Sequence, residues 1–387
     1  MQDFVRWIEI DLDAITYNFH QIRQFVPEQV KIMSVVKADA YGHGAVQVAE
    51  ALAGAGTDMF AVTTVEEGIE LVNGGVRLPI LIFTPMLPFQ VETVMKHQLI
   101  PTVDHVDSLE ALAKWAEKSG TRVRFHLKVE SGMGRTGITA ADLPNLLQKL
   151  NQYSGVLMGG VYSHFATAMM KEKSYAQKQL AQFLQMVKEI KKETKEIGLT
   201  HIANSAAILD LPDTYLDMVR VGTLLYGQYP SSYVSRPFDL KDPWQMKGRI
   251  VSVKKLAPGH SVGYGRDYMV KKPLEVGVVP VGYADGFGVL PHTRPAKAYD
   301  LVKSTAKIFS HMLGVVSPNY VLYGKDRLPV IGRIGMQLSM IDITGQNIGV
   351  GTEVKIPIRR TTSGARLPRI FFKNGQISSI RTISQSL

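Results

Sequence analysis

Eight short β-rich runs alternate with amphipathic helical segments between Lys31 and Gly222, and this alternation limits the fold more than any other feature. The β-rich runs are KIMSVVK, DMFAVTT, PILIFT, QLIPTV, TRVRFHLKVE, GVLMGGVYSH, LTHIANS and DMVRVG. Helical periodicity is clearest at Ala45–Ala53, Val65–Val72, Val106–Lys118 and Tyr175–Ile197. Strands that alternate with helices form parallel sheets, so we predict an α/β fold built on a (β/α)₈ barrel, or TIM barrel. An open doubly wound sheet is the alternative, because alternation alone does not exclude it.

Beyond the segment Phe238–Trp244 the alternation gives way to consecutive β-rich runs. These runs are GRIVSVKKL, LEVGVVPVGYAD, PVIGRIGMQLSMIDIT and GTEVKI. Asn374–Gly375, between two alternating apolar runs, is typical of a β-hairpin turn. We therefore predict a barrel domain over residues 1–238 and a mostly β C-terminal domain over residues 239–387. The strand-like run Trp7–Leu12 precedes the barrel and could pair with the second domain.

Charge and cysteine content exclude several classes of function. The net charge is +10, but the densest basic run, Lys188–Glu196, mixes both signs at helical spacing and is typical of a solvated helix face. We therefore expect no nucleic-acid partner. The chain has no cysteine, which excludes disulfides and thiolate metal sites and fits a cytoplasmic enzyme. No apolar run approaches the roughly 20 residues that span a bilayer, and the start lacks a signal-peptide pattern, so we expect no membrane association.

Polar residues that follow barrel strands are the first candidates for function, because the active site of such a barrel lies at the carboxyl ends of its strands. Lys37 follows the mostly apolar run IMSVV, where desolvation would lower the pKa of its amine and favour Schiff-base formation. Arg135 lies among glycines, where it could reach an anion, and His164 follows the sixth strand, where it could orient a ligand ring. An ordinary lysine leaving a strand, a surface arginine and a structural histidine are the alternatives.

One predicted strand carries an unusual series of polar residues. By the two-residue period of a strand they share one face: Arg124, His126, Lys128 and Glu130. Basic residues repeated along a barrel strand indicate a pocket that faces them.

Two predicted turns near the end of the barrel suit a phosphate group. Ser205 opens a helix, where free backbone N–H groups and a hydroxyl could bind an anion, although a plain N-cap is the commoner role. Gly222, which precedes Thr223, would let a phosphate approach the backbone. Together with an imine-forming lysine at the same barrel rim, these turns indicate pyridoxal phosphate.

The run VVKADAYGHG is very similar to the cofactor-lysine signature of alanine racemases. Further motifs follow in the family's order: LKVESGMGRTG, YSHFATA, ANSAAILDLPD, MVRVG, VGYGRDY, VGYADGF and GRIGM. The chain thus resembles the alanine racemase family of fold-type III pyridoxal-phosphate enzymes over nearly its whole length. The resemblance implies a (β/α)₈ barrel followed by a β domain, a head-to-tail homodimer with composite active sites, and racemisation of a small amino acid, expected to be alanine.

The same resemblance implies roles for individual residues. Lys37 would hold the cofactor and act as one of two acid/base groups, and Tyr264 of the partner subunit would be the other, on the opposite face of the substrate Cα. Arg220 would face the pyridine nitrogen and, as a permanent cation, disfavour its protonation. The other implied cofactor-binding residues are Tyr41, His164, Asn204, Ser205, Gly222 and Thr223. The implied substrate-binding residues are Arg135, Met336 and Tyr283, and Lys128 matches a lysine that is carbamylated in many family members.

The chain also departs from the family pattern. Gln337 follows the methionine where the family usually has an acidic residue, and Met169 and Met170 follow ATA where acidic residues are usual. The family's C-terminal tyrosine falls on Ala365, and a helix-like insert is expected around Pro291–Pro318. Loss of that tyrosine would enlarge the pocket and leave room for substrates larger than alanine, such as serine, while alanine remains the expected substrate.

Three other functions remain compatible with these patterns. They are a racemase or epimerase acting on serine or a bulkier amino acid, a decarboxylase of fold type III, and a non-catalytic pyridoxal-phosphate-binding paralogue. The paired motifs around Lys37 and Tyr264 favour racemisation over decarboxylation, and the presence of the second domain disfavours the non-catalytic paralogue.

Overall fold

The computed structural model describes residues 4–194, 196–289, 305, 319–363 and 366–382. The insert expected around Pro291–Pro318, apart from residue 305, and the position of Ala365 lie outside these residues. The chain divides into two compact units, Leu12–Pro243 and the residues before Leu12 together with those from Trp244 onward. The first strand, β1 (Arg6–Asp11), belongs to the second unit, and the division falls between residues 243 and 244 rather than at the predicted 238 and 239.

Eight parallel strands form the centre of the first unit. They are β2 (Lys31–Val35), β3 (Met59–Val62), β4 (Ile80–Pro85), β5 (Ile100–Val103), β6 (Val123–Lys128), β7 (Val156–Tyr162), β8 (Leu199–His201) and β9 (Met218–Val221). Their order in the sheet is β8-β7-β6-β5-β4-β3-β2-β9. Backbone hydrogen bonds from Asp217 N to Thr200 O (3.2 Å) and from Arg220 N to Ala203 O (3.1 Å) join the two ends. The predicted (β/α)₈ barrel is therefore confirmed, because an open doubly wound sheet would reverse its strand order at a switch point.

The barrel strands are recognisable in the sequence because parallel strands are buried on both faces and read as nearly continuous apolar runs. All four residues of β3 are buried, for example. The side chains that fill the barrel interior form one apolar cluster: Met33, Val35, Met59, Ala61, Leu81, Tyr162 and Met218.

Helices of the first unit lie between the strands. They are α1 (Leu12–Phe25), α2 (Lys37–Gly42), α3 (Ala45–Gly54), α4 (Val65–Asn73), α5 (Val91–Lys96), α6 (Val106–Ser119), α7 (Leu143–Leu150), α8 (Ser174–Glu193) and α9 (Ser205–Asp210). The second element, α2, is a single turn whose central residues have left-handed backbone angles. None of the helices in the described part of the chain is long and apolar enough to cross a membrane.

Helix α8 ends at Glu193, before the predicted end at Ile197. Thr194 is already extended (φ −129°, ψ 142°), and Gly198 has a left-handed φ of +59° just before β8. A Cβ at residue 198 would lie 2.1 Å from the Gly159 carbonyl oxygen. The chain therefore leaves the helix early because it must turn through a glycine to reach the strand.

The second unit is mostly β, as predicted. Its strands beyond β1 are β10 (Trp244–Arg249), β11 (Ser252–Leu256), β12 (Ser261–Val262), β13 (Tyr268–Met269), β14 (Leu274–Val279), β15 (Tyr320–Tyr323), β16 (Asp326–Ile331), β17 (Ser339–Asp342), β18 (Glu353–Lys355), β19 (Arg369–Lys373) and β20 (Gln376–Arg381). Strands β12 and β13 pair with each other, and the larger sheet has the order β11-β14-β17-β16-β15-β18-β10-β1-β19-β20. Within it, β1 is antiparallel to β10 and parallel to β19.

The predicted hairpin at Asn374–Gly375 joins β19 to β20. Both turn residues have positive φ, 53° and 70°. This is the combination that a two-residue type I′ hairpin turn requires, so the hairpin is confirmed.

We predict that Gly198→Ala strongly lowers the melting temperature of the protein, because a methyl group would both adopt a disfavoured φ and collide with the Gly159 backbone. The matched control is Gly75→Ala, where φ is +91° but no atom lies within 4 Å of the added Cβ. The control should cost only about 1–2 kcal/mol for its left-handed backbone. Equal melting temperatures for the two variants, measured by circular dichroism, would contradict this account of the turn.

Candidate active site

Two adjoining cavities of the first unit lie where the barrel strands end. The first, of about 300 Å³, brings together a large part of the predicted site: Lys37, Tyr41, His164, Asn204, Ser205, Arg220, Gly222 and Thr223. The second, of about 250 Å³, shares Lys37, His164 and Arg220 with the first and adds Lys128 and Arg135. Residues from five strand ends, far apart in sequence, thus face one space.

Lys37 follows β2 directly and lines both cavities. Burial lowers the pKa of its amine, the charge of Arg135 lowers it further, and the charge of Glu67 opposes both. The four residues after Lys37, from Ala38 to Tyr41, all have left-handed φ angles between 51° and 56°. Such angles cost roughly 1–2 kcal/mol per residue, so the turn needs compensating contacts. Its effect is to place the Tyr41 side chain in the same cavity as the Lys37 amine.

The guanidinium of Arg220, 3% exposed, forms the floor of the site and donates to carbonyl oxygens and imidazole nitrogens. Its acceptors are Ser163 O (2.7 Å), Ile202 O (3.0 Å), His201 O (3.0 Å), His201 Nδ1 (2.8 Å) and His164 Nδ1 (3.3 Å). Burial lowers the pKa of Arg220 to about 10, which leaves it charged at neutral pH. All of these acceptors are neutral groups, so this cation keeps its charge available to a ligand in the cavity.

Two buried histidines behind Arg220 continue its hydrogen bonds. Because Arg220 donates to Nδ1 of His201, the proton of that ring lies on Nε2, which donates to Nδ1 of His126 (3.0 Å). Burial and the charge of Arg220 lower the pKa of His126 to about 3 and hold the pKa of His201 well below its usual value. Both rings are therefore neutral. The sequence pattern placed His126 on a strand face expected to border a pocket, but it predicted neither a role for His201 nor a contact between the two rings.

The cradle expected for a phosphate is formed by Ser205, Gly222 and Thr223. Asn204, not Ser205, is the N-cap of α9, since its side-chain oxygen accepts from Ala206 N and Ala207 N (both 3.1 Å). The Ser205 hydroxyl instead accepts from Gly222 N (3.0 Å). Asn204 is the cap because it immediately precedes Ser205, the first helical residue, and from there its side chain can accept from the free N–H groups of the first turn.

Three observations indicate that this cradle accommodates a group with hydrogen-bond acceptors. A Cβ at Gly222 would lie 2.6 Å from the Tyr41 hydroxyl and would fill the space. Burial raises the pKa of Tyr41 to about 12, so its phenol keeps the proton and can donate. The Thr223 hydroxyl is buried without a hydrogen-bond partner among the described residues. A buried donor of this kind needs a ligand or water to satisfy it.

Arg135 lies in a glycine-rich loop that carboxylates hold in place. The Glu130 side chain accepts hydrogen bonds from the backbone N–H groups of residues 132 to 135, including Met133 (2.5 Å) and Gly134 (2.9 Å). Burial opposes ionisation of Glu130, but these hydrogen bonds outweigh it and hold its pKa below the usual value. Asp104 accepts from Gly137 N (2.9 Å) at the end of the loop.

The expectation that four polar residues share one face of β6 fails at Glu130. Along the strand itself, Arg124 is exposed, whereas His126 and Lys128 are buried. Glu130 lies beyond the end of the strand at Lys128 and turns towards the loop backbone. The two-residue period predicts a common face only while the chain remains a strand.

Lys128 is 5% exposed, and its ammonium lies 4.4 Å from the centroid of the Tyr162 ring. Burial and the charges of Arg220 and Arg135 lower the pKa of Lys128 to about 7, against the opposing effect of Glu130 and Asp104. The amine is therefore partly neutral at physiological pH.

The remaining predicted residues, Tyr264, Tyr283 and Met336, belong to the second unit and are exposed. Tyr283 N donates to Gly335 O (3.1 Å) and Ala284 N donates to Met336 O (3.0 Å), so Tyr283 and Met336 lie together. Tyr264 lies between Gly263 and Gly265, both with positive φ.

The turn that carries Tyr264 is anchored by an ion pair between Asp267 and Arg333. A Cβ at Gly263 would lie 3.4 Å from Arg333 N, so this turn also lies against the GRIGM segment, residues 332–336. Tyr264 and Tyr283 therefore both lie next to the segment that contains Met336. Gln337, one of the departures noted above, is exposed next to it, and Met169, another departure, lines the first cavity of the barrel.

Comparisons with known proteins agree with this arrangement. The model of the alanine racemase N-terminal domain matches residues 10–230, and that of the alanine racemase C-terminal domain matches residues 244–368. Alanine racemase 2 of Caldanaerobacter subterraneus subsp. tengcongensis is 38% identical over 354 residues, which cover 90% of this chain and 84% of that protein. Alanine racemase of Geobacillus kaustophilus is 35% identical over 387 aligned positions, which cover 98% of both chains.

A solved alanine racemase of Clostridium difficile 630 superimposes with a TM-score of 0.86 at 31% identity, covering 98% of both chains. Both halves of the chain therefore match the same family in sequence, and the whole chain matches it in structure. The chain belongs to the alanine racemase family, a family of pyridoxal-phosphate-dependent isomerases.

Proposed function

We propose that this chain interconverts L- and D-alanine with pyridoxal 5′-phosphate as cofactor, in a homodimer whose active sites combine residues of two subunits. The observation that carries the proposal is the single pocket that holds a lysine of lowered pKa, a buried arginine and a phosphate-sized cradle. Membership of the alanine racemase family supports the same reaction. The homodimer and the cytoplasmic location inferred from the sequence stay predictions.

The residues present fit this cofactor. Ser205, Thr223 and Tyr41 would donate to the phosphate, and Gly222 leaves the room for it. Lys37 would hold the cofactor covalently, His164 would flank its ring, and Asn204 would shape the cradle by starting α9. When bound, pyridoxal phosphate withdraws electrons from the substrate Cα and so acidifies its proton.

Racemisation requires that a proton leave one face of Cα and return to the other, so two groups on opposite sides are needed. Lys37 would take or return the proton at Nζ on one face, and burial together with Arg135 favours its neutral, proton-accepting form. Tyr264 of the partner subunit would act at its phenolic oxygen on the other face. Its exposed position on a turn of the second unit is compatible with reaching into another subunit.

Arg220 would face the pyridine nitrogen and restrict its protonation. Among the described residues, its hydrogen-bond partners are carbonyl oxygens and neutral histidines, so its positive charge is not cancelled by a carboxylate. A cofactor that remains unprotonated at this nitrogen is a weaker electron sink. We therefore expect Arg220 to suppress side reactions such as transamination.

Arg135 and the backbone at Met336 would bind the substrate carboxylate, and Tyr283 would narrow the entrance. The carboxylate-anchored loop would hold Arg135 in place. A carbamylated Lys128 would carry a negative charge between Arg135 and Arg220, both of which lower the pKa of the unmodified amine. That charge would orient the Arg135 guanidinium.

The first test is racemisation of a panel of L-amino acids by the cofactor-loaded protein, followed by chiral chromatography. We expect L-alanine to turn over best, and Lys37→Ala and Tyr264→Phe to lower its rate by about 10²–10⁴-fold, the usual contribution of a general acid or base. The matched controls are Lys31→Ala, at the other end of β2, and Tyr323→Phe, on β15, which should retain the wild-type rate.

Other results of this assay would point elsewhere. Faster turnover of serine or a bulkier amino acid would replace alanine as the substrate but keep the two-base mechanism. Release of carbon dioxide would indicate a decarboxylase. A bound cofactor without any racemisation would indicate a non-catalytic paralogue.

A second test concerns Lys128. Carbamate forms only on a neutral amine, and the pKa of Lys128 is about 7, so a carbamate signal in ¹³C NMR with labelled bicarbonate should grow as the pH rises through that value. Lys128→Arg should abolish the signal, while Lys149→Arg, at a lysine paired with Glu110, should keep it. A signal that survives Lys128→Arg would refute the assignment.

A further inference from the structure

The turn that follows Lys37 is conformationally unusual, and its stability needs an explanation. Ala38, Asp39, Ala40 and Tyr41 are consecutive left-handed residues, and none of them is glycine. L-residues adopt this conformation singly and at a cost, so a run of four persists only where neighbouring groups hold it. The turn is also functionally placed, because Lys37 and Tyr41, at its two ends, line the same cavity.

Glu67, on helix α4, is bonded to the start of this turn. Its Oε1 accepts a hydrogen bond from Ala38 N (2.6 Å), and its Oε2 accepts from Thr63 N (2.7 Å) and Thr64 N (3.1 Å). One carboxylate therefore joins the backbone that follows β2 to the backbone that follows β3. Ala38 and Glu67 are 29 residues apart in the sequence, so a local sequence pattern does not predict this hydrogen bond.

An ordinary capping role does not account for both oxygens. Glu67 forms a capping box with Thr64, which uses only the bond to the Thr64 backbone. The neighbouring Glu66 already supplies negative charge to the first turn of the helix. The bond to Ala38 is additional. Within the turn, the Asp39 side chain accepts from Ala45 N (2.8 Å), the first residue of α3, so a second carboxylate joins the turn to the helix that follows it.

The charge of Glu67 also acts on Lys37. Burial and Arg135 lower the pKa of Lys37, and Glu67 raises it. The other titratable groups that line the cavities beside Lys37 are Arg220 on β9, Lys128 on β6, Arg135 after β6 and three neutral rings, those of Tyr41, Tyr162 and His164. Glu67 lines neither cavity, but its negative charge raises the pKa of Lys37 against the effects of burial and Arg135.

We propose that Glu67 is a positioning residue whose carboxylate fixes the left-handed turn and thereby directs Lys37 and Tyr41 into one pocket. The proposal rests on the function proposed above, in which Lys37 holds the cofactor. Glu67 touches neither substrate nor cofactor in this assignment and acts only through Lys37 and the turn.

The test compares Glu67→Gln with Glu66→Gln, an exposed glutamate next to it on the same helix. Glutamine has only one acceptor oxygen, so its amide N–H₂ would face either Ala38 N or the pair Thr63 N and Thr64 N, all of them donors. In the cofactor-free protein we expect faster amide hydrogen exchange, measured by mass spectrometry, in the peptide that spans residues 37–45 of Glu67→Gln. Glu66→Gln should exchange like the wild type.

The second readout is the pH dependence with which pyridoxal phosphate and borohydride label Lys37, measured by peptide mass spectrometry. Labelling needs a neutral amine, so loss of the Glu67 charge should move the midpoint to lower pH. A purely structural glutamate would alter exchange without moving this midpoint. Wild-type exchange or an unchanged midpoint in Glu67→Gln would overturn the proposal.

The two proposals fail in different ways. If pyridoxal phosphate never labels Lys37 of the wild type, the proposed function is wrong, and hydrogen exchange of the cofactor-free chain still decides whether Glu67 holds the turn. If the wild type is labelled at Lys37 while Glu67→Gln behaves like Glu66→Gln in either measurement, the function stands and the role of Glu67 is refuted.

Discussion

Both the barrel and its pocket depend on the hydrogen bonds that the buried guanidinium of Arg220 donates. From β9 it reaches the carbonyl oxygens of Ser163, His201 and Ile202, which follow or end β7 and β8. It therefore bridges the seam where the two ends of the sheet meet. Burying a charge destabilises the folded state by several kcal/mol, whereas each hydrogen bond from a charged donor stabilises it by about 1.5–3 kcal/mol. The several acceptors around Arg220 therefore offset the cost of burying its charge.

The same burial determines the chemistry of the site. Burial, and after it the charge of the Arg220 guanidinium, lowers the pKa of His164, His201 and Lys128. These groups remain neutral or nearly so in a pocket that would otherwise accumulate positive charge. An anionic ligand then meets the guanidinium groups of Arg220 and Arg135 together with largely neutral groups, an arrangement that suits the phosphorylated cofactor proposed above.

Carboxylate side chains stabilise two loops of this site by accepting hydrogen bonds from backbone N–H groups. Glu130 and Asp104 fix the glycine-rich loop that carries Arg135, and Glu67 and Asp39 fix the left-handed turn between Lys37 and Tyr41. Glu130 and Glu67 each accept several backbone N–H groups, an arrangement that a neutral side chain with a single acceptor cannot reproduce. Acidic residues are thus placed around the cationic pocket, where they order the backbone.

The sequence by itself determined the parallel barrel, the β domain and the lysine at the end of β2, because buried parallel strands and the VVKADAYGHG motif are local signals. It also predicted that Ser205 and Gly222 lie at one rim of the barrel and that Ser205 opens a helix, but it left open whether Ser205 caps that helix or binds a phosphate. Only the tertiary structure decided that Asn204 caps α9, that Glu130 leaves the face of β6, and that His201 and His126 extend the hydrogen bonds of Arg220. The left-handed turn and its link to Glu67 were equally invisible, because a hydrogen bond between Ala38 and Glu67 joins segments 29 residues apart. Local sequence patterns indicate which residues of a helix or strand are buried. The hydrogen-bond partners of a buried polar group, in contrast, depend on which strand ends lie side by side once the barrel has closed.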